Sequence, residues 1–456
     1  MKSSMLNKIR FFCAMALLMP LSLLGQEESA NPMSLEECVN YALENNRNLK
    51  TTRLEEAIAE TQVGETRSMG LPQVKFQTGV NYNYEVQKAF LPETFVNPQG
   101  DPENSVAAPF GVDYDGNANF SVSQLLFDGS YFVGLQAAKT LRELRQKESN
   151  QSEVETVEAI TKAYYLVLIS QERLELLDAN QEQLQRVLNE TSALYENGFA
   201  EKIDVDRITV NYNNIQTENS KAKRNFNVSM NMLKFQMGMA LNSPLELSGN
   251  ISTLNLEVGE YLNKTENFDY RERVEYSVLQ TNQDLANLDL RNNKATLLPK
   301  LYANANYGWN TGTNRTSELF QFNDRWLSFG AIGLSFQWDL FTGLNRSSKM
   351  EKNRIQIEQI EIQKEQLQSS INMEITQAEN DLKSAKESLD VQKQNMELAL
   401  SVYKQVETKY KNGMASSREL LDAETAKKEA ETNYYGSLYD AVIAKIELEK
   451  ALGILY

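Results

Sequence analysis

The chain has 456 residues, 46 Lys and Arg against 62 Asp and Glu, a net charge of −16 and no histidine. The acidic balance repels phosphate and argues against nucleic acid as a partner. The commonest general base and metal ligand is missing, and neither a P-loop nor a Gly-rich dinucleotide turn occurs, so an enzyme, a metal site or a cofactor is not expected.

Residues 1–25 read as a secretory signal. Lys2, Lys8 and Arg10 precede the apolar run Phe11 to Leu24, and Gly25 meets the polar Gln26-Glu27-Glu28. Without those three cations the remaining chain carries −19. It keeps one cysteine, Cys38, which lies at helical spacing in Leu35 to Leu43 and is expected to be an inert, packed thiol. No later apolar stretch is long enough to span a membrane as a helix, so any crossing must use strands.

Strands are expected next. Val74, Phe76, Thr78, Val80, Tyr82, Tyr84 and Val86 alternate with Gln73, Lys75, Gln77, Gly79, Asn81, Asn83 and Glu85. A period of two puts one face in oil and one in water. The stretch near Phe120 and Val122 is similar, as are Leu301 to Trp309 and Ile332 to Trp338. The polar, turn-rich segments Lys88 to Asp113 and Thr311 to Arg325 suit outer loops. A soluble sandwich with one wet face also alternates, but the apolar partner for a second sheet is missing.

The long segments Tyr131 to Glu196 and Leu344 to Lys411 contain no proline. In the second, Ile371, Ala378, Ala385, Gln392, Ala399 and Val406 interleave with Ile375, Leu382, Leu389, Met396, Tyr403 and Tyr410. That is a six-heptad seam with one polar break, and the first segment keeps its phase 215 residues earlier. Each rod of some 65 residues would be roughly 100 Å long. Both stop at Asn-Gly, and a second helix follows, Ile203 to about Phe235 and Ser417 to about Leu452.

The two halves share one plan. Tyr195-Glu196-Asn197-Gly198 recurs as Tyr410-Lys411-Asn412-Gly413, Leu233 and Gly238 as Leu448 and Gly453, and Leu71-Pro72 as Leu298-Pro299. The expected organisation is a first repeat over 26–240, a linker over 241–270 and a second repeat over 271–456. Four strands cannot close a barrel, and an open edge in lipid leaves backbone groups unpaired, so more than one copy is required.

This duplicated strand–strand–long-helix plan, with its Tyr-x-x-Gly tips and the segment Gly413 to Ala423, resembles the TolC family of outer-membrane efflux proteins over essentially the whole mature chain. The resemblance implies a mainly α fold with a membrane β-barrel: a homotrimer whose twelve-stranded barrel, four strands per protomer, continues into a long helical-hairpin tunnel. It implies an exit duct in the bacterial outer membrane, surrounded by lipid, that works with a periplasmic adaptor protein and an inner-membrane efflux pump to export small molecules. The linker would fall in the family's equatorial belt.

By position in the family's pattern, Glu419 and Asp422 match two constriction acids at the periplasmic entrance, with glutamate in the first place. Tyr410 matches a tip tyrosine that helps hold the entrance shut, and Asp204 the acid of the first hairpin. The family's arginine two residues past the second tip glycine is Ala415 here and Arg418 lies three further on, so the closing contact must differ. The tips themselves (Tyr195, Asn197, Gly198, Asn412 and Gly413) would meet the adaptor. The same acids have a plainer account as helix-start charges, and Tyr410 as a seam residue. A duct for type I protein secretion would share this architecture, as would one for metal efflux. From another class, a secreted trimeric coiled-coil adhesin or stalk leaves the duplication and return helices unexplained.

Overall fold

The computed structural model describes residues 32–249, 251, 268–322 and 325–455. The expected signal segment and most of the expected linker, including 252–267, lie outside the described residues.

Helix α1 (Leu35–Asn45) starts with a capping box, in which Ser34 and Glu37 satisfy each other's backbone N–H at 3.3 and 2.7 Å. Helix α2 (Arg47–Ser68) leads into β1 (Gln73–Tyr82). The segment expected as a plain loop instead holds a two-stranded hairpin, β2 (Lys88–Pro92) with β3 (Ser105–Pro109). Its strands are short and each ends in proline, and Phe90 and Phe95 on it are 77% and 78% exposed. Then come β4 (Tyr114–Phe127), the rod α3 (Gly129–Glu196) and the return helix α4 (Lys202–Met237). The second half repeats the order: α5 (Val274–Ala295), β5 (Lys300–Thr313), β6 (Leu327–Gln337), the rod α6 (Asn345–Lys411) and the return helix α7 (Ser417–Ala451). At 68 and 67 residues, each rod is about 100 Å long.

The four long strands form one antiparallel sheet in the order β1-β4-β5-β6. Its register places like with like. Val74 pairs with Val122 and Phe76 with Phe120; on the next strand Phe120 meets Tyr307, and Leu301 then meets Phe336. The Phe76 and Phe120 rings are 4.6 Å apart and those of Tyr82 and Tyr114 are 4.9 Å apart. The other face is a polar ladder: Gln77 pairs with Asn119, Asn117 with Asn310 and Ser123 with Asn304. Ser123 Oγ donates to Asn304, whose amide donates on to Ser335 Oγ, at 2.9 and 2.8 Å. Among the described residues no second layer covers the apolar side: Val74, Phe76, Val80, Ile332, Leu334 and Phe336 are all more than half exposed. Among the described residues, β1 and β6 are the free edges.

Below the sheet the seam residues pack as their spacing predicts. All twelve seam positions of α6 are buried or half-buried, and in α3 only Tyr195 is exposed. Three of the four buried clusters among the described residues follow down the rods. The equatorial core joins Cys38 and Ala42 of α1, Ile160 to Ile169 of α3, Leu233 of α4 and Val442 of α7. A second joins Ile371 to Leu382 of α6 with Ala444 to Leu452. The third, nearest the tips, joins both hairpins through Leu184, Ile208, Tyr403 and Leu420. Cys38 is fully buried in the first of these cores, packed as expected, and burial pushes its thiol up to about 12.

Candidate functional site at the hairpin tips

The motif Tyr-x-Asn-Gly builds the same turn twice. Asn197 Nδ2 donates to Ala193 O at 2.7 Å, and Asn412 Nδ2 to Thr408 O at 2.8 Å. Each asparagine thus brings a second donor to a carbonyl that its own backbone N–H also meets, at 3.2 Å in both tips. Gly198 (φ 79°) and Gly413 (φ 71°) then take the left-handed conformation. The next amide turns back in each case: Phe199 N–H to Leu194 O and Met414 N–H to Lys409 O, both at 2.8 Å. The chain therefore reverses within a few residues and presents Phe199 and Met414 at the points, 82% and 71% exposed. Neither was among the sequence-predicted site residues. The available signal was an apolar residue straight after Asn-Gly, where a turn normally carries a polar one.

Just inside the tips the two hairpins touch. Ser417 Oγ, at the first turn of α7, donates to the Asp204 carboxylate in the first turn of α4. Asp204 also accepts its own helix's Glu201 N–H at 3.4 Å and has Arg207 at 4.0 Å. Tyr410 is half-buried, and its hydroxyl and the buried Thr191 Oγ1 share a hydrogen bond of 2.8 Å across the hairpins. Burial pushes the Tyr410 phenol up, the bond to Thr191 pulls it down, and Asp204 and Glu190 push it up. Asp204 and Tyr410 are thus both engaged across the junction, through partners that sequence spacing did not reveal.

The other predicted residues are placed differently. Glu419 closes a capping box: its carboxylate accepts Ser416 N–H at 2.8 Å while its own N–H donates to Ser416 Oγ at 3.2 Å. Arg418 and Asp422 form an exposed pair one turn apart at 3.9 Å, with both side chains at least three-quarters accessible. Arg418 therefore makes no closing contact with the first hairpin within the protomer. Tyr195 is 44% exposed on the opposite tip. Two acids one turn apart on an exposed helix start can act on passing ions through charge. Among the described residues no cluster of three or more Cys, Asp or Glu is placed to hold a metal.

A model of one protein family, described as outer membrane efflux protein, matches residues 38–239 and 276–454, both repeats on either side of the linker. The chain belongs to the outer membrane efflux protein family. Among relatives, it is 23% identical over 431 residues to the outer membrane protein TolC of Vibrio cholerae, covering 92% of this chain and 91% of that one. It is 22% identical over 353 residues to the proteases secretion protein PrtF of Dickeya chrysanthemi, covering 76% and 71%. Its fold superposes on the Campylobacter jejuni CmeC outer membrane channel with a TM-score of 0.70 at 15% identity, covering 92% of this chain and 86% of that one. As an outer-membrane member of this family, the chain presents its four-stranded sheet as the membrane part. No helix among the described residues is long and apolar enough to cross a bilayer.

Proposed function

We propose that three copies of this chain close a twelve-stranded barrel on a helical tunnel. The assembly is an exit duct, with no chemistry of its own, through which an inner-membrane pump and a periplasmic adaptor export small molecules. One observation carries the reading: a sheet with two unpaired edges and an uncovered apolar face stands at the head of rods about 100 Å long. An edge left open in lipid strands backbone groups at several kcal/mol each, and only closure with other copies removes it. The number three comes from the family resemblance. The exposed tips, with Phe199 and Met414 at their points, are the surface offered to the adaptor.

The 22% identity to a protein named for protease secretion favours a second reading, a type I protein secretion duct. Deleting the gene and assaying both phenotypes separates the two. The first reading expects sensitivity to toxic small molecules with secretion intact, and the second expects loss of secreted protein. The duct itself is tested by light scattering in detergent and by planar-bilayer recording. A trimer that conducts is expected, and a stable detergent-free monomer would sink both readings.

A further inference from the structure

Between the tips and the equatorial core, α7 carries ionic residues where its seam should be apolar. Leu420 and Ala423 are buried, and the next seam residues, Lys427 and Glu431, are only 4% and 7% exposed. Lys427 Nζ donates to Asn180 of α3 at 2.6 Å and lies 4.7 Å from the centre of the Tyr403 ring of α6. Asn180 Nδ2 in turn donates to Glu431 at 2.9 Å, and Lys427 is 3.8 Å from the same carboxylate. Helices from both halves therefore converge on one buried cation that already has its counter-charge.

A further carboxylate in this place is surplus, and one is present. An Oε2 oxygen of Glu424 is buried with no hydrogen-bond partner. Burial pushes its carboxyl up to about 7; Lys427 and Lys428 pull it down, while Glu431 and Glu407 push it up. The groups around it are accounted for on every side. Lys428 is held by Glu218 of α4 at 2.6 Å, and Glu407 of α6 is held by Lys411 at 3.1 Å. The Tyr403 phenol, pushed up by burial and by Glu424 and Glu407, is pulled down by Arg186 of α3.

We propose that Glu424 is a proton-operated latch: protonated, it lets α6 and α7 pack against each other, and ionised, it loosens that hairpin just above the entrance. The sign follows from the direction of the shift. A carboxyl raised from 4.5 binds its proton more tightly in the packed state. Its stabilising effect is complete below about 4.5 and is lost as pH rises through about 7. The wall tightens in acid and relaxes towards alkali, whichever cargo the duct carries.

Amide hydrogen exchange on the assembled full-length protein in detergent, corrected for intrinsic rates, tests this between about pH 5.5 and about pH 8.5. In the wild type, amides of α6 and α7 around Tyr403 and Glu424 should lose protection by about tenfold over that range. The neutral isostere Glu424→Gln should reduce the change to about twofold or less. Glu429→Gln, exposed on the same helix, should keep the wild-type response. If Glu424→Gln does not assemble, infrared titration of the wild type should still find a protonated carboxyl band that disappears near neutral pH. A wild-type pH response in Glu424→Gln, or no carboxyl titrating near neutrality, overturns the proposal.

Discussion

Two carbonyls at equivalent places in the repeats, Gln236 O and Ala451 O, each accept a hydrogen bond from the side chain just before α2 or α5. Asn46 donates to the first at 2.6 Å and buried Arg273 to the second at 3.0 Å. Duplication has kept the contact while changing the chemistry that makes it. Two left-handed glycines, one beside the first of these carbonyls and one at the second hairpin tip, differ in a testable way. Gly238 and Gly413 both have left-handed φ, 74° and 71°. A Cβ on Gly413 would meet nothing within 4 Å, but one on Gly238 would lie 2.3 Å from Asn45 O. Gly413→Ala should therefore cost roughly the 1–2 kcal/mol of a left-handed L-residue. Gly238→Ala adds a backbone clash and should cost about 1–3 kcal/mol more. The apparent urea midpoint of the detergent-solubilised protein measures both, and equal losses would mean that α1 yields freely.

At the scale of elements, the repeats enter their rods by different routes. Asp128 caps α3, accepting Ser130 N–H at 2.8 Å, with Lys300 at 3.1 Å. The α6 rod instead begins after two left-handed residues, Gly343 and Leu344, with no side-chain cap. The rods also differ in company: α3 packs against α1, α2, α4, α5 and α7, whereas α6 packs against α5 and α7. That is why α3 buries Val157, Tyr164 and Leu168 beyond its seam. The strands carry the clearest prediction. Val80→Arg or Phe336→Arg places a charge on the uncovered apolar face and should cost about 2–4 kcal/mol near the bilayer midplane. Asn81→Arg, on the polar face beside Asp115, should be mild. Folding yield into lipid vesicles compares them, and equal tolerance would mean that the faces are assigned wrongly.

For the whole molecule, a duct of the proposed kind would select ions where its local charge is strongest. The polar face of the described strands is mostly Asn, Ser, Gln and Gly, with Lys75, Lys300 and Asp115 as its charges. The net charge of −16 is screened beyond about 8 Å at physiological salt. In the proposed trimer, a ring of Glu419 and Asp422 from the copies would then be the local field best placed to act. Glu419→Ala with Asp422→Ala should raise conductance and weaken cation preference in planar bilayers. The exposed rod change Glu397→Ala should do neither. Since Glu419 also caps α7, Glu419→Gln with Asp422→Asn, which keeps hydrogen bonding without charge, should give the same loss of preference. Unaltered selectivity in both pairs would leave these acids as helix-start charges only.

The sequence by itself determined the elements and their faces, because each depends on a local period. Alternation by two decides which side of a strand meets lipid, and the heptad decides which side of a rod meets its partner. Asn-Gly decided the tips in the same local way, and the repeat offset aligned Gly238 with Gly453, which the structure shows share a left-handed conformation. The hairpin inside Lys88 to Asp113 was hidden because its strands are five residues each, too short for a periodic signal among turn residues. Only the tertiary structure decided which polar side chains meet. Ser417 with Asp204, Thr191 with Tyr410, and Asn180 with Lys427 are each more than 200 residues apart. Such pairings depend on how two hairpins lie side by side, and nothing in either helix's own spacing encodes them.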